Sequence, residues 1–254
     1  MILGIVQART SSSRLPGKVL KPILGRPMIA LQLERLSRVQ SIDKLIVATS
    51  DRSDDTPLVS LCATMDIDCF CGSLDDVLDR FYRAAKKYST SHVVRLTGDC
   101  PLTDPDTIDQ MVDTYLNGEY DYVSNTIEPT FPDGLDGEVF RMDCLTSAWH
   151  EANLPSQREH VTPFIWQQPK RFKLHAYRHT VDLSHMRWTV DEPEDFSFVK
   201  EIFQELYPDN ASFGMRDVLQ LLERRPELGK MNNQIERNEG YSRTLAHDHR
   251  EKTS

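Results

Sequence analysis

Hydrophobic positions in the first half of the chain fall into short runs separated by amphipathic stretches. Ile2-Leu3-Gly4-Ile5-Val6 is an apolar run of strand length. Pro27 to Val39 carries Met28, Ile29, Leu31, Leu33, Leu36 and Val39 at near-helical spacing, and Pro27 suits a first helical position. Lys44–Thr49 predicts a second strand with the polar end Thr49-Ser50-Asp51, and Asp54-Asp55-Thr56-Pro57 starts a helix to about Met65. Ile67–Phe70 is a brief third strand before Gly72. Asp75–Phe81 opens a helix that is acidic at its N-terminus, as the helix dipole favours. His92–Thr97 reads as the fourth strand, Asp104-Pro105 caps a helix to about Leu116, and Tyr120–Ser124 is a fifth strand. Strands alternating with helices at this spacing predict βαβ units, hence a mainly parallel α/β sheet with right-handed crossovers and helices on both faces.

The pattern then changes. Phe131-Pro132-Asp133-Gly134-Leu135-Asp136-Gly137 is a turn-rich loop, followed by a strand at Glu138–Phe140 and a helix from Asp143 to Asn153. A helical stretch surrounds Arg158-Glu159-His160-Val161-Thr162-Pro163, and Phe172–Tyr177 alternates like a half-exposed strand. Residues 128–185 therefore read as an insertion in which an acceptor site or a dimer arm could be built. Arg187–Asp191 predicts a short strand, Glu192-Pro193-Glu194-Asp195-Phe196 a helix to about Tyr207, and Met215–Arg224 another helix. From about Met231 the sequence is polar, which predicts a mobile tail over 231–254 after a single domain over 1–230.

Composition narrows the function. With 254 residues and 39% hydrophobic content the chain can pack one α/β domain with an appendage. A net charge of -9 and a pI near 5.4 argue against a nucleic-acid partner. No run approaches the roughly 18–20 apolar residues that span a bilayer, and the first residues lack the pattern of a signal peptide. Five cysteines, an odd number without zinc-type spacing, are expected to be reduced thiols of a cytoplasmic protein.

Against that acidic background, Arg9 to Arg26 holds five cations (Arg9, Arg14, Lys18, Lys21, Arg26) and no acid. Three of them (Arg9, Arg14 and Lys18) sit in the loop Gln7-Ala8-Arg9-Thr10-Ser11-Ser12-Ser13-Arg14-Leu15-Pro16-Gly17-Lys18, directly after the first strand. Guanidinium and ammonium groups beside hydroxyls and accessible N–H groups suit phosphate oxygens, and ligands of open α/β sheets bind at strand carboxyl ends. Asp99 and Asp191 each follow an apolar strand, so both carboxylates can reach the same end of the sheet. Two hard oxygen ligands beside a polyphosphate fit Mg²⁺. Taken singly, the loop also reads as a solvated basic segment, Asp99 as a turn residue and Asp191 as a helix cap. Arg158, Glu159 and His160 form a charged cluster, with His160 a candidate base. Asp76, Asp79 and Arg80 also fit a helix surface.

Arg9-x4-Arg14-Leu15-Pro16-Gly17-Lys18 resembles the nucleotide-binding loop of sugar-activating cytidylyltransferases, especially the 3-deoxy-manno-octulosonate enzymes. Gly98-Asp99-x-Pro101-Leu102 and Val190-Asp191-x-Pro193-Glu194-Asp195 resemble their two metal-carboxylate motifs. Phe131–Asp136, Arg158–Pro163, Leu183-Ser184-His185-x-Arg187-Trp188-Thr189-Val190-Asp191 and Gln234-Ile235-x-Arg237-Asn238-Glu239-Gly240-Tyr241 are similar to the spore coat polysaccharide SpsF group, related to acylneuraminate cytidylyltransferases. The resemblance implies a Rossmann-like, doubly wound sheet of the nucleotide-diphospho-sugar transferase type, and a Mg²⁺-dependent cytidylyltransferase. Such an enzyme joins CTP to a sugar acid or related sugar with release of pyrophosphate, in surface or spore coat polysaccharide biosynthesis. A homodimer is implied too. Carried over, Gln7, Ala8, Arg9, Thr10, Ser11, Ser12, Arg14, Lys18, Arg80 and Gly98 bind nucleotide. Arg14, Lys18 and Asp99 are catalytic, and Asp99 and Asp191 hold the metal. Asp133, Asp136, Glu138, Arg158, Glu159 and His160 are acceptor candidates. Cys100 departs from the 3-deoxy-manno-octulosonate pattern, which has an acid there, and the insertion does not look like that family's sugar pocket. Two other functions fit the same residues: a glycosyltransferase using a ready-made nucleotide sugar, and a nucleotide-binding protein without chemistry.

Overall fold

The structure is a computed structural model that describes residues 1–235, 237, 240–242, 244, 245 and 248. In chain order the elements are β1 (Ile2–Gln7), β2 (Pro22–Ile23), β3 (Arg26–Pro27), α1 (Met28–Leu36), β4 (Lys44–Ser50), α2 (Thr56–Thr64), β5 (Asp68–Gly72), α3 (Val77–Lys87), β6 (His92–Thr97) and α4 (Pro105–Gly118). They continue with β7 (Tyr122–Ser124), β8 (Glu138–Arg141), α5 (Met142–Glu151), α6 (Pro155–His160), α7 (Pro163–Trp166), β9 (Leu174–Ala176), α8 (Pro193–Leu206) and α9 (Met215–Arg224).

One seven-stranded sheet has the order β5-β4-β1-β6-β8-β7-β9. The β5-β4-β1-β6 block is parallel throughout, β8 runs antiparallel to both its neighbours, and β9 is parallel to β7. The mainly parallel, doubly wound sheet is thus as expected from the alternation of elements. Side chains alternate across it. Leu3, Ile5, Ile46, Val93, Tyr122 and Phe140 pack on one face under α3 and α5, with Phe81 and Leu145 in the same cluster. Val6, Val47, Val94, Leu96, Val123 and Val139 pack on the other face, under α1, α2 and α4, with Leu33, Leu58 and Met111. A third apolar cluster lies at the strand ends and joins Leu15, Leu102, Leu135, Trp188 and Val190 to α8 and α9 through Phe198, Phe203 and Leu221.

The structure departs from the sequence reading in four places. Residues 128–185 are threaded through the sheet, since β8 and β9 are two of its strands. Arg187–Asp191 is not a sheet strand; it makes a single parallel bridge, Arg187 to Asp133. It runs across the strand ends, where the Trp188 N–H donates to the Asp133 carbonyl and the Val190 N–H donates to the Asp99 carbonyl. Those bonds satisfy its backbone without a ladder. Pro27 caps α1 from outside, because Arg26–Pro27 pairs with Pro22–Ile23 as a small ribbon. The polar end is also anchored where it is described. Asn232 is buried, and Arg237, Thr244 and Asp248 bond to the body of the protein. Polarity there serves buried partners rather than solvent.

A candidate active site at the strand ends

The chain leaves β1, builds β4 and β5 on one side, then returns to β6 on the other. That reversal opens a crevice beyond β1 and β6, the usual ligand position in such sheets. Gly98 closes its floor. Its N–H donates to the Gln7 carbonyl at 2.8 Å, and a Cβ there would meet the Ala8 Cβ at 2.7 Å, so a larger residue would push the two loops apart. Gly134 plays the same part farther along: its φ of +107° is left-handed, and a Cβ would lie 2.3 Å from the Thr189 nitrogen. The two quoted motifs around Asp133 and Trp188 therefore touch backbone to backbone.

The basic loop wraps a cavity of about 230 Å³ lined by Gln7, Ala8, Arg9, Ser11, Ser12, Arg14, Lys18, Gly98, Asp99 and Asp191. This gathers nearly the whole set expected to bind nucleotide. Two members lie elsewhere. The Thr10 N–H and hydroxyl both donate to Asp55 Oδ1, at 2.6 and 2.7 Å, so Thr10 ties the loop down from behind. Arg80 is fully buried on α3 and donates to the Ser73 carbonyl, packed against Gly72. Burial and the neighbouring Arg9 charge lower its pKa to about 10. It is not among the residues lining the cavity.

Lys18 is the hinge of the arrangement. Gly17, at φ 66°, turns the loop into a short 3-10 segment at Lys18–Leu20, while Leu15 is buried in the strand-end cluster. These anchors leave Lys18 only 9% exposed, with its Nζ donating to Asp99 Oδ2 at 3.0 Å, Asp191 Oδ1 at 2.9 Å and the Val190 carbonyl at 2.8 Å. Burial disfavours its charge, but the two carboxylates outweigh it and raise its pKa. The same contacts act on Asp99. Burial opposes its anion, yet the Lys18 ammonium and the Thr97 hydroxyl hold the carboxyl at about 2. Arg14 adds a second cation, 3.0 Å from Asp191 and 3.4 Å from Glu192.

Two carboxylate oxygens converging on one ammonium are also the donor set that Mg²⁺ takes beside phosphates, where one or two protein carboxylates suffice. Among the described residues no group of three or more His, Cys, Asp or Glu could hold a metal. Two acids together with the oxygens of a triphosphate fit the ion.

Behind this pair lies a buried ion network. Arg187 Nε and Nη2 each bond Asp195 at 2.9 Å, and Arg187 Nη1 bonds Asp133 at 3.0 Å. Asp195 is completely buried and also accepts from the Asp191 and Glu192 N–H groups, both at 3.0 Å, and from Asn232 at 2.8 Å. Its pKa is lowered although burial works against it, because Arg187 and those N–H donors favour the anion. Asp195 thus fixes the backbone that presents Asp191.

A larger cavity of about 470 Å³ adjoins the first; Arg14, Asp99 and Asp191 line both. Of the acceptor candidates, Asp133, Asp136, Glu138 and His160 line it, with Arg95, Trp166 and Tyr241. Arg158 does not: it is tied to Asp76, the N-cap of α3, and to the Trp149 carbonyl. Glu159 is half-exposed and accepts from the Thr244 hydroxyl at 2.9 Å. Burial raises the Asp133 carboxyl despite Arg237 and Arg187. It pushes Asp136 up to about 7, with Arg237 opposing and the neighbouring acids adding to the rise. Burial lowers the His160 imidazole, which bonds the Thr244 hydroxyl at 3.2 Å.

Several working residues escaped the sequence reading. Arg95, inside the apolar run of β6, pairs with Glu138 and bonds Gln7 at 3.1 Å; a charge amid Val93, Val94 and Leu96 was its signal. Arg187 and Arg237 stood in quoted motifs without an assigned role. Asp55 looked like helix-start chemistry, and its part beneath the loop has no local signature.

The family described as Cytidylyltransferase matches residues 3–220 of this chain. An uncharacterized protein of Methanocaldococcus jannaschii is 39% identical over 92% of this chain and 95% of its own length. The spore coat polysaccharide biosynthesis protein SpsF of Bacillus subtilis is 31% identical over 89% and 95%. Among solved structures, a cytidylyltransferase from Leptospira borgpetersenii superposes with a TM-score of 0.86 at 30% identity, covering 90% of this chain and 96% of that one. A CMP:2-keto-3-deoxy-manno-octonic acid synthetase complexed with CTP shares the fold at a TM-score of 0.64 and 18% identity, over 81% and 99%.

Proposed function

The chain belongs to the cytidylyltransferase family, and from that premise we propose that it joins the CMP group of CTP to a sugar, foremost a sugar acid, and releases pyrophosphate. The product would feed polysaccharide synthesis, as the name of the SpsF relative suggests. The setting that goes with this reading is a cytoplasmic homodimer.

The observation that carries it is Lys18, held between Asp99 and Asp191 where the two cavities join. In the reaction a sugar hydroxyl attacks the α-phosphorus in line with the departing pyrophosphate. Negative charge grows on the leaving group, and fixed cations at that place lower the barrier. Lys18 stays protonated between its carboxylates, so it carries a full charge at neutral pH, and Arg14 flanks it. Asp99, held near 2, stays an anion and serves as a ligand rather than a proton carrier. Mg²⁺ held by Asp99 and Asp191 would supply further charge neutralisation on the triphosphate. Asp195 and Arg187 keep Asp191 in place, and Asp55 keeps the loop against the strand ends. The larger cavity, which shares Arg14, Asp99 and Asp191 with the smaller one, would take the acceptor.

One plate tests the reading: four nucleoside triphosphates against sugar acids and sugar phosphates, with Mg²⁺, reading pyrophosphate. Acceptor-dependent release from CTP, above the other three triphosphates, is expected. Turnover only with a ready-made nucleotide sugar, or triphosphate binding without release on any acceptor, would reject it.

A further inference from the structure

The larger cavity has a wall from outside the region that matches the family. Tyr241 and Gly240 line it, whereas the family match ends at residue 220. The segment bearing them is fastened at both ends. On the side of α8, Asn232 bonds Asp195 at 2.8 Å and the Arg187 carbonyl at 3.0 Å, within the network that fixes Asp191. On the side of α6, Thr244 bonds His160 and Glu159, and Asp248 accepts from the Ser156 N–H at 3.0 Å and hydroxyl at 2.5 Å. Between these points Arg237 reaches inward, 2.7 Å from Asp136 and 3.1 Å from the Phe131 carbonyl.

The cavity combines acidic and aromatic side chains. Asp133, Asp136 and Glu138 offer carboxylates that accept hydrogen bonds. Rings line the same cavity: Tyr241 stands edge-on to His160 at 5.1 Å between centroids and lies 5.9 Å from Trp166. A pyranose presents hydroxyl donors along its rim and C–H groups on a face, which suits carboxylates together with rings.

We propose that the C-terminal segment is the acceptor-recognising wall, with Tyr241 the specificity-determining residue that packs on the sugar face and Arg237 the positioning residue that sets the wall through Asp136. The acceptor class is a pyranose that donates hydroxyl hydrogen bonds to Asp133, Asp136 and Glu138. This rests on the cytidylyl-transfer reading, and the test separates the two.

Full-length Tyr241→Ala, Tyr241→Phe and Arg237→Gln chains are assayed with CTP, Mg²⁺ and 3-deoxy-manno-octulosonate or glucosamine as probes. Tyr241→Ala should lower kcat/KM for the acceptor by about tenfold or more, leaving CTP affinity by calorimetry within about twofold. Tyr241→Phe should restore the acceptor kcat/KM, since it keeps the ring and loses only the bond that its hydroxyl accepts from Gln167. Unchanged acceptor kinetics in Tyr241→Ala, or an equal loss of CTP affinity, would overturn the assignment. The position of the wall is read without turnover: in Arg237→Gln, amide exchange over Pro155–Trp166 should rise, and unchanged exchange would overturn the strap. A wild-type chain inert on every acceptor sinks the reading of the preceding subsection instead, and the exchange result still decides the strap.

Discussion

The two charge clusters at the strand ends are built from the same residue types and do opposite work. The Lys18 cluster faces the cavities: Asp99 and Asp191 keep 29% and 23% of their side-chain surface exposed. The Arg187 cluster is more deeply buried, with Asp195 at 0% and only its Asp133 and Arg187 edge reaching the larger cavity. Charges left partly open can exchange partners, so phosphates can take Lys18 and a metal can take the carboxylates. Charges sealed away cannot, and each must find its full complement inside the protein. The open cluster is therefore predicted to govern rate, and the sealed one to govern whether the site exists.

The sharpest way to break that contrast is Asp195→Ala. It strands Arg187 and frees the Asp191 and Glu192 N–H groups, and removing one partner of a buried pair costs about 3–5 kcal/mol. A urea melt should show the midpoint falling at unchanged slope. Stability within about 1 kcal/mol of wild type would show that the sealed cluster is dispensable.

Next in size is Lys18→Ala. Losing a preorganised charge at a developing anion costs about 10²–10³ in turnover. The fold should hold, since Asp99 and Asp191 keep part of their side-chain surface exposed and can rehydrate. Pyrophosphate release near the wild-type rate would remove Lys18 from the mechanism. Asp99→Asn in the same assay should shift the Mg²⁺ requirement to higher concentration, and an unmoved Mg²⁺ curve would count against its role as a ligand.

Legibility followed the same divide. The parallel half was readable because each βαβ unit is local: apolar runs of strand length, capped helices and short connections dictate neighbours. His92–Thr97 and Met215–Arg224 have the same bounds in sequence and structure. The basic loop stood out against an acidic chain, and its cavity was placed by the strand-end rule. The acceptor half depends on contacts between distant segments. Arg187–Asp191 has the apolar alternation of a strand, yet its hydrogen bonds go to the loops at Asp99 and Asp133. Arg158 carries the same charge as Arg187, and only tertiary placement sends one to the N-cap of α3 and the other to the site. The C-terminal residues read as solvated because polarity alone does not show that buried carboxylates await them.

Asp55→Ala is a milder probe of the loop. Asp55 is 1% exposed and holds Thr10 and Ser50 together through Ser50 bonds at 3.1 and 2.5 Å and Thr10 bonds at 2.6 and 2.7 Å. Stranding those donors should cost about 1–3 kcal/mol of stability. It should also raise the KM for CTP more than that for the acceptor, because Gln7, Ala8, Arg9, Ser11 and Ser12 line the smaller cavity alone and only Arg14 of the loop reaches the larger one. Equal changes in both KM values would mean that the two sides of the site are not separable in this way.

The finest discrimination comes from pH, because the fold shifts one acid on each side in opposite directions. Asp99 is held at about 2, below the unfolded carboxylate value of about 3.9. Its contribution to stability is therefore complete above about 4 and is lost as pH falls toward 2. Asp136 is pushed up to about 7, so the fold favours its protonated form. That preference stabilises the protein below about 4 and is lost as pH rises through 7. Asp99→Asn should then flatten the acid limb of Tm against pH and leave the neutral region alone. Asp136→Asn, which keeps an acceptor for Arg237, should gain on wild type as pH rises from 4 to 8. Each variant bending the other's limb would refute the division of labour between the open cation cluster and the buried acceptor wall, since both carboxyls would then belong to one electrostatic unit.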